Sequence, residues 1–211
     1  MAIFVCSDWH FMHQKSFLYE PRGFKTVEEM NEAIIQRHNE VVGPEDEVFH
    51  LGDEIMSDTE RGIECIKRLN GRIHLIRGNH STDNKLARIV EECPNVVEYG
   101  KWSDVLQYQK WKFYLSHYPT ICGNFDDGDK PLKKRILNLC GHSHCRNPFR
   151  DMDKGLIYHC ELDCNSIQPI LVDKIIESVE WFSTLSIEKK KQIISMEVYN
   201  EKNRYDRLED E

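Results

Sequence analysis

No stretch of this chain approaches the run of roughly twenty apolar residues that a membrane-spanning helix requires. Residues 1–8 carry no basic region, and their apolar run is too short for a secretory leader. These absences lead us to expect a cytoplasmic protein with no membrane partner. Excess positive charge is lacking as well: 28 Lys and Arg stand against 36 Asp and Glu, for a net charge of −8. A surface of that sign does not attract polyanions, which disfavours a nucleic-acid partner, although a local metal cluster can reverse the sign. A disulfide framework is missing too. The eight cysteines (Cys6, Cys65, Cys93, Cys122, Cys140, Cys145, Cys160 and Cys164) are scattered, and in a chain of 211 residues they read as reduced thiols. Cys140, Cys145, Cys160 and Cys164 could be drawn as a zinc site. No Cys-x-x-Cys pair occurs among them, however, and Cys140 and Cys160 fit buried strand positions, so we set that reading aside. With neither repeat nor linker, residues 1–211 read as one domain, and 40% hydrophobic with 30% charged residues is ordinary globular composition.

What is present is an alternation. Apolar runs at 3–6, 47–51 and 72–77 predict strands. Helices are predicted from Thr26, at 59–69 and at 81–92. The first opens with Thr26-Val27-Glu28-Glu29, a capping box in which hydroxyl and carboxylate satisfy free backbone N–H groups. Strand–helix alternation implies α/β. From residue 95 the pattern changes to closely spaced strands at 95–98, 104–109 and 111–116, with a tight turn at Gln109-Lys110. A loop without periodicity covers 119–134 and reads as functional because of its length. Strands follow at 136–140, 156–160 and 169–172. Two C-terminal helices are expected within 171–199, and a charged tail at 200–211.

The strand at 136–140 runs into Gly141-His142-Ser143-His144. Histidines two apart in extended backbone can point the same way, which is the beginning of a metal site. Four similar pieces lie upstream, each after a β-rich run: Asp8-Trp9-His10, Gly52-Asp53-Glu54, Gly78-Asn79-His80-Ser81 and Ser116-His117-Tyr118. Oxygen and imidazole donors without thiolate suit Mn, Fe, Zn, Ni or Mg. The donors outnumber what one ion needs, so two ions are the economical reading, with Asp53 the best placed to bridge them.

This set resembles the calcineurin-like metallophosphoesterases, whose pattern is Asp-x-His, Gly-Asp, Gly-Asn-His, a lone His and Gly-His-x-His. It spans about two thirds of the chain. The resemblance implies a four-layer αββα sandwich of two mixed sheets flanked by helices, with metals at the strand ends. It implies that Asp8, His10 and His144 hold one ion and that Asn79, His117 and His142 hold the other, with Asp53 shared. His80 would contact the phosphate and act as general acid, while a metal-bridging hydroxide attacks phosphorus. The expected activity is a metal-dependent phosphoesterase, phosphatase or phosphodiesterase, using two divalent ions, manganese before Fe, Zn, Ni or Mg. The substrate would be a phosphomonoester or small phosphodiester. Two dications bring about +4 and Asp8 with Asp53 about −2, leaving about +2 to receive a phosphoryl group. The alternatives are a scaffold or adaptor of the same fold, and a nuclease or RNA end-processing enzyme.

Two positions depart from the family pattern. Ser81 stands where an acidic residue usually follows Gly-Asn-His, and it is expected to cap the next helix. Glu54 stands where an apolar residue is common, and is expected either to face solvent or to add a carboxylate to the site. His13, on the same loop as His10, and Arg22 are candidate substrate contacts, the alternative for Arg22 being a turn cap. Arg77 is expected to be structural. His50 and His74 are expected to be satisfied core residues and His38 to lie on a helix surface, while His159 is unassigned. Trp102, Trp111 and Tyr108 are expected to pack against a sheet, and residues 133–135 to form a solvated basic edge.

Overall fold

The structure is a computed structural model and describes residues 1–123 and 130–196. In chain order the elements are β1 (Ile3–Cys6), α1 (Ser16–Tyr19), α2 (Val27–Val41), β2 (Glu47–His50), α3 (Thr59–Lys67), β3 (Arg72–Ile76), α4 (Asp83–Glu92) and β4 (Val96–Lys101). There follow β5 (Ser103–Tyr108), β6 (Trp111–Ser116), β7 (Ile136–Cys140), α5 (Met152–Gly155), β8 (Ile157–His159), β9 (Ile170–Leu171), α6 (Val172–Thr184) and α7 (Ile187–Ser195). Part of the loop at 119–134, the end of the last expected helix and the tail at 200–211 lie outside the described residues.

One sheet has the order β4-β3-β2-β1-β9, parallel except for β9, which runs antiparallel to β1. The other has the order β5-β6-β7-β8, in which only the β5–β6 hairpin is antiparallel. Two mixed sheets flanked by helices are the architecture that the family resemblance implies. Period-two alternation sorts the side chains of β1 between two cores. Phe4 and Cys6 join a cluster with Met30 and Ile34 of α2, Ile63 and Ile66 of α3, and Leu86 and Ile89 of α4. Val5 points the other way, into a cluster with Phe113, Leu137 and Leu139 of the second sheet and with Ile175 and Val179 of α6. Each such fully buried side chain contributes about 1.5–3 kcal/mol by leaving water. Strands β1, β2 and β3 are mutually parallel, and so are β6 and β7. Their C-terminal ends therefore open on shared edges, where an α/β sheet offers its crevice.

Thr26 Oγ1 accepts the Glu29 N–H at 3.2 Å, while the Glu29 carboxylate returns to the Lys25 N–H at 2.8 Å, one residue earlier than a capping box would place it. No described helix is long and apolar enough to cross a membrane. Several expectations for individual side chains are corrected. Trp102 is 63% exposed, with the Arg77 guanidinium over its ring at 5.0 Å, because the chain turns there between β4 and β5. Trp111 does pack into the core. His50 is buried with no hydrogen-bond partner on either ring nitrogen among the described residues, and it stacks on Trp9 at 3.7 Å, so its ring serves as an aromatic surface. His74 is half-buried between Glu47 and Glu98. His38 is on the buried face of α2, with Nε2 2.9 Å from the Asn70 carbonyl.

Burial pushes the His38 pKa from 6.5 down to about 4. The fold tolerates its neutral form, so this contribution to stability is complete above pH 6.5 and is lost as pH falls toward 4. The full loss corresponds to about 3 kcal/mol. Denaturant unfolding should show wild type losing more stability than His38→Gln across that interval. Parallel pH profiles would assign the acid sensitivity to other groups.

Candidate metal centre

Five strand ends deliver the chemistry-bearing side chains. Asp8 and His10 follow β1, Asp53 follows β2, Asn79 and His80 follow β3, His117 follows β6, and His142 with His144 follows β7. Backbone bonds zip the first two loops together: Asp8 N–H to Gly52 O and His10 N–H to Asp53 O, both at 3.0 Å. Asp8, His10, Asp53, His142 and His144 all adopt positive φ, at 60°, 49°, 63°, 75° and 48°. Each such non-glycine conformation costs roughly 1–3 kcal/mol and persists only where the surroundings over-determine it. The gain is that every one of these residues belongs to the cluster of donors. Gly141 permits the closest approach, since a Cβ there would lie 2.3 Å from Ser7 Oγ and 2.6 Å from Asp8 Oδ2. Gly52 needs its hydrogen for two reasons: φ is 100°, and a Cβ would meet Gly78 Cα at 2.6 Å.

Asp8, His10 and His144 form one compact group of donors. Asp8 Oδ2 is engaged by the Ser7 hydroxyl and by the His142 N–H at 3.0 Å. Asp8 Oδ1 is buried with no hydrogen-bond partner among the described residues and lies 3.5 Å from His10 Nε2 and 3.6 Å from His144 Nε2. Those two Nε2 atoms are 3.0 Å apart. Around Asn79 is the second group: its Oδ1 is 2.8 Å from His117 Nε2 and 2.9 Å from His142 Nδ1. Asp53 stands between the groups. Its Oδ1 accepts the His80 N–H at 2.8 Å, and its Oδ2 lies 3.6 Å from His10 Nε2 and 3.5 Å from His117 Nε2. Burial opposes charge on Asp8, but the His144 and His10 imidazoles outweigh it and hold the carboxyl well below its usual range. Burial lowers the His10 and His142 pKa values.

These donors fit cations. His117 Nδ1 is 2.8 Å from the Leu51 carbonyl, so in the neutral ring Nδ1 carries the proton and the Nε2 lone pair faces the Asn79 carbonyl oxygen. Two acceptors at that distance repel unless a positive charge lies between or beside them. His144 is set in the same way, since Nδ1 is 3.2 Å from Asp163 Oδ2 and leaves Nε2 for the cluster. A ring nitrogen anchored on a carbonyl or carboxylate, with the other free, is how metal-binding histidines are oriented.

All seven expected ligands are thus brought together, with His80 beside them, its side chain 44% exposed and Nε2 4.0 Å from Asp53 Oδ2. His13 lies against His10, ring centroids 5.6 Å apart, and burial lowers its pKa to about 4. Arg22 corrects its expectation as a substrate contact. Its buried guanidinium donates to the Asp8 carbonyl at 2.8 Å, to the Trp9 carbonyl at 3.3 Å and to both Asp163 oxygens. Those protein acceptors occupy it, and it braces the Asp8 loop. Asp163, which joins Arg22 to His144, was missed by sequence reasoning. It lies after the last motif, and no local pattern marks it.

Glu54 and Ser81, the two departures, face each other. Ser81 Oγ donates to Glu54 Oε2 at 2.7 Å and accepts the Gly78 N–H at 2.9 Å. Glu54 is buried, which raises its pKa to about 7, so it neither faces solvent nor joins the donors. Ser81 is not the helix cap. Thr82 caps α4, accepting from the Lys85 N–H. Arg77 binds Asp83 and the Ser81 carbonyl, a structural role.

The chain matches the sequence profile of the calcineurin-like phosphoesterase superfamily domain over residues 1–159. It is 30% identical over 184 residues to an uncharacterised protein of Methanocaldococcus jannaschii, covering 84% of this chain and 91% of that one. Among solved structures, a protein of unknown function from Aquifex aeolicus superposes with a TM-score of 0.63 at 23% identity, covering 84% of this chain and 98% of that one. A phosphoesterase from E. coli superposes at 0.41 with 15% identity, covering 76% and 78%.

A double-mutant cycle of Glu54→Ala and Ser81→Ala should give a coupling energy of about 0.5–3 kcal/mol by denaturant unfolding, as for buried hydrogen-bonded neighbours. Additive losses would mean that the two departures are independent.

Proposed function

This chain belongs to the calcineurin-like phosphoesterase superfamily, and we propose that it hydrolyses a phosphomonoester or a small phosphodiester with two divalent ions. Asp8, His10 and His144 would hold one ion, Asn79, His117 and His142 the other, and Asp53 both. Manganese suits this oxygen and imidazole set, as do Fe, Zn, Ni and Mg. Two such ions supply Lewis-acid charge to the phosphoryl oxygens and activation of water at neutral pH.

The observation that carries the reading is the convergence on one carboxylate oxygen, Asp53 Oδ2, of His10 Nε2 and His117 Nε2 from opposite groups, at 3.6 and 3.5 Å. Structural ion pairs do not need two imidazoles from separate sheets aimed at a single oxygen. The chain's own residues supply the rest. His80 is the exposed imidazole beside the donors, and its backbone N–H is tied to Asp53 Oδ1 at 2.8 Å, so its position follows that carboxylate. Its ring is free to contact the phosphate and to pass a proton to the leaving oxygen. His13 Nδ1 accepts the Lys15 N–H at 3.3 Å, leaving Nε2–H as a neutral donor toward substrate. The exposed Tyr118 ring stands edge-on to His142 at 4.7 Å and walls the other flank. A net charge of −8 favours small phosphoesters over long nucleic acids as partners.

Purified protein loaded with Mn, Fe, Zn, Ni or Mg in turn should cleave p-nitrophenyl phosphate or its bis ester. Asp53→Asn should abolish that turnover, and His80→Ala should lower kcat by about 10²–10⁴-fold. No turnover with any of these metals would favour a non-catalytic scaffold. Metal analysis should show about one ion per chain fewer in either His142→Ala or His144→Ala than in wild type, each variant losing a different position. Loss of both ions in both variants would reject the division of ligands.

A further inference from the structure

Behind the centre lies a second cluster that the phosphoesterase reading does not use. Cys145, His159 and Glu161 are fully buried and offer ligand atoms all within 4.8 Å of one another. Cys164 completes the set: its Sγ is 3.6 Å from Cys145 Sγ and 3.7 Å from Glu161 Oε2. Cys145 Sγ is 3.8 Å from the same oxygen. This set differs from the four-cysteine zinc site set aside on sequence grounds. Cys160 does not join this cluster but turns back on the Tyr158 carbonyl, and Cys140 is hydrogen-bonded from the side.

We propose that Cys145, His159, Glu161 and Cys164 form a structural zinc-type metal site, separate from the dinuclear centre, which locks the loop bearing His142 and His144. Three observations support it. The first is donor chemistry. Two thiols, an imidazole and a carboxylate are a donor set for zinc, whereas the dinuclear centre contains no sulfur. The second is spacing. Tetrahedral zinc, with Zn–S about 2.3 Å and Zn–O about 2.1 Å, sets S···S edges near 3.8 Å and S···O edges near 3.6 Å. The observed S···S distance of 3.6 Å and S···O distances of 3.7 and 3.8 Å lie within about 0.2 Å of those edges. The third is orientation. His159 Nε2 is 2.9 Å from Asp151 Oδ2, so in the neutral ring the proton sits there and the Nδ1 lone pair, 3.1 Å from Glu161 Oε1, faces the cluster. A carboxylate behind the imidazole is the arrangement that orients histidine toward zinc. Asp151 is in turn held by Lys154 at 2.6 Å.

A plain hydrogen-bonded cluster is the competing account, with the thiols donating to Glu161. It accounts for each contact singly but not for the gathering of a buried carboxylate, two thiols and a carboxylate-backed imidazole in one place. The consequence for the centre is mechanical. Cys145 directly follows His144, and Glu161 Oε1 accepts the Ser143 N–H at 3.1 Å. Asp163, between Glu161 and Cys164, holds His144 Nδ1 and Arg22. One ion would therefore pin both ends of the turn that aims His144, and this does not depend on the phosphoesterase reading.

The test uses cobalt(II) alone, titrated into chelator-treated full-length protein. Only a thiolate ligand gives a near-ultraviolet sulfur-to-cobalt charge-transfer band, so the dinuclear centre is silent in it. Wild type and Asp53→Asn should both develop the band, with the final intensity of about one thiolate-bound cobalt per chain, and zinc should reverse it. Cys164→Ser should keep about half its intensity, and the Cys145→Ser, Cys164→Ser double variant should lack it. If the double variant does not fold, the halving in Cys164→Ser decides. If chelation unfolds wild type, sulfur scattering at the zinc edge of the protein as isolated replaces the titration. No charge-transfer band, or no sulfur around zinc, would reduce the cluster to hydrogen bonds and overturn the proposal. So would six free thiols rather than eight in denatured, unreduced protein, which would mark a Cys145–Cys164 disulfide.

Discussion

The arrangement at the strand ends depends on one constraint, the crowding of lone pairs around Asp53. Carboxylate, carbonyl and imidazole acceptors meet there with too few protons to separate them. His117 spends its Nδ1 proton on the Leu51 carbonyl and His144 directs its own Nδ1 at Asp163, so the remaining nitrogens face other acceptors. In a buried place of low dielectric such a gathering is costly unless cations occupy it. Its persistence, against positive φ at five of its members, means the surrounding fold is strong enough to hold it preassembled.

That strength comes from the two cores. Parallel strands β1, β2 and β3 rest on the helices through Phe4, Cys6 and their neighbours, while Val5, Leu51 and Ile76 seal the first sheet against the second. Each sheet contributes loops to the same edge. Glycine makes the close approach possible where the loops touch, at Gly141 against Ser7 and Asp8 and at Gly52 against Gly78.

Around the donors lies a layer of holding contacts that differ in kind from the donors themselves. Arg22 ties the Asp8 and Trp9 carbonyls to Asp163, and Asp163 ties Arg22 to His144. Glu54 and Ser81, unusual singly, make sense as a pair, since the carboxylate that the Gly-Asn-His motif lacks at its end is supplied from the Gly-Asp loop. Burial of Glu54 raises its pKa to about 7, so the pair sits near the edge of ionisation at neutral pH.

The sequence by itself determined the strand–helix alternation up to residue 92, the run of strands after it and the candidate donors at strand ends, and the family resemblance implied the two sheets. Hydrophobic period, turn residues and short spaced motifs are local properties, and local spacing is enough to aim a side chain out of a strand end. Only the tertiary structure decided the rest, because it depended on residues far apart in the chain. That His38 and His50 are buried, that Arg22 braces a loop instead of meeting substrate, and that Glu54 finds Ser81 all follow from packing between elements. The same holds for Asp163, for the acceptor-to-acceptor contact of Asn79 with His117, and for the meeting of Cys145 with His159, Glu161 and Cys164. A period or a motif carries no record of which distant group stands opposite. That is settled when the two sheets close on one another and water is excluded.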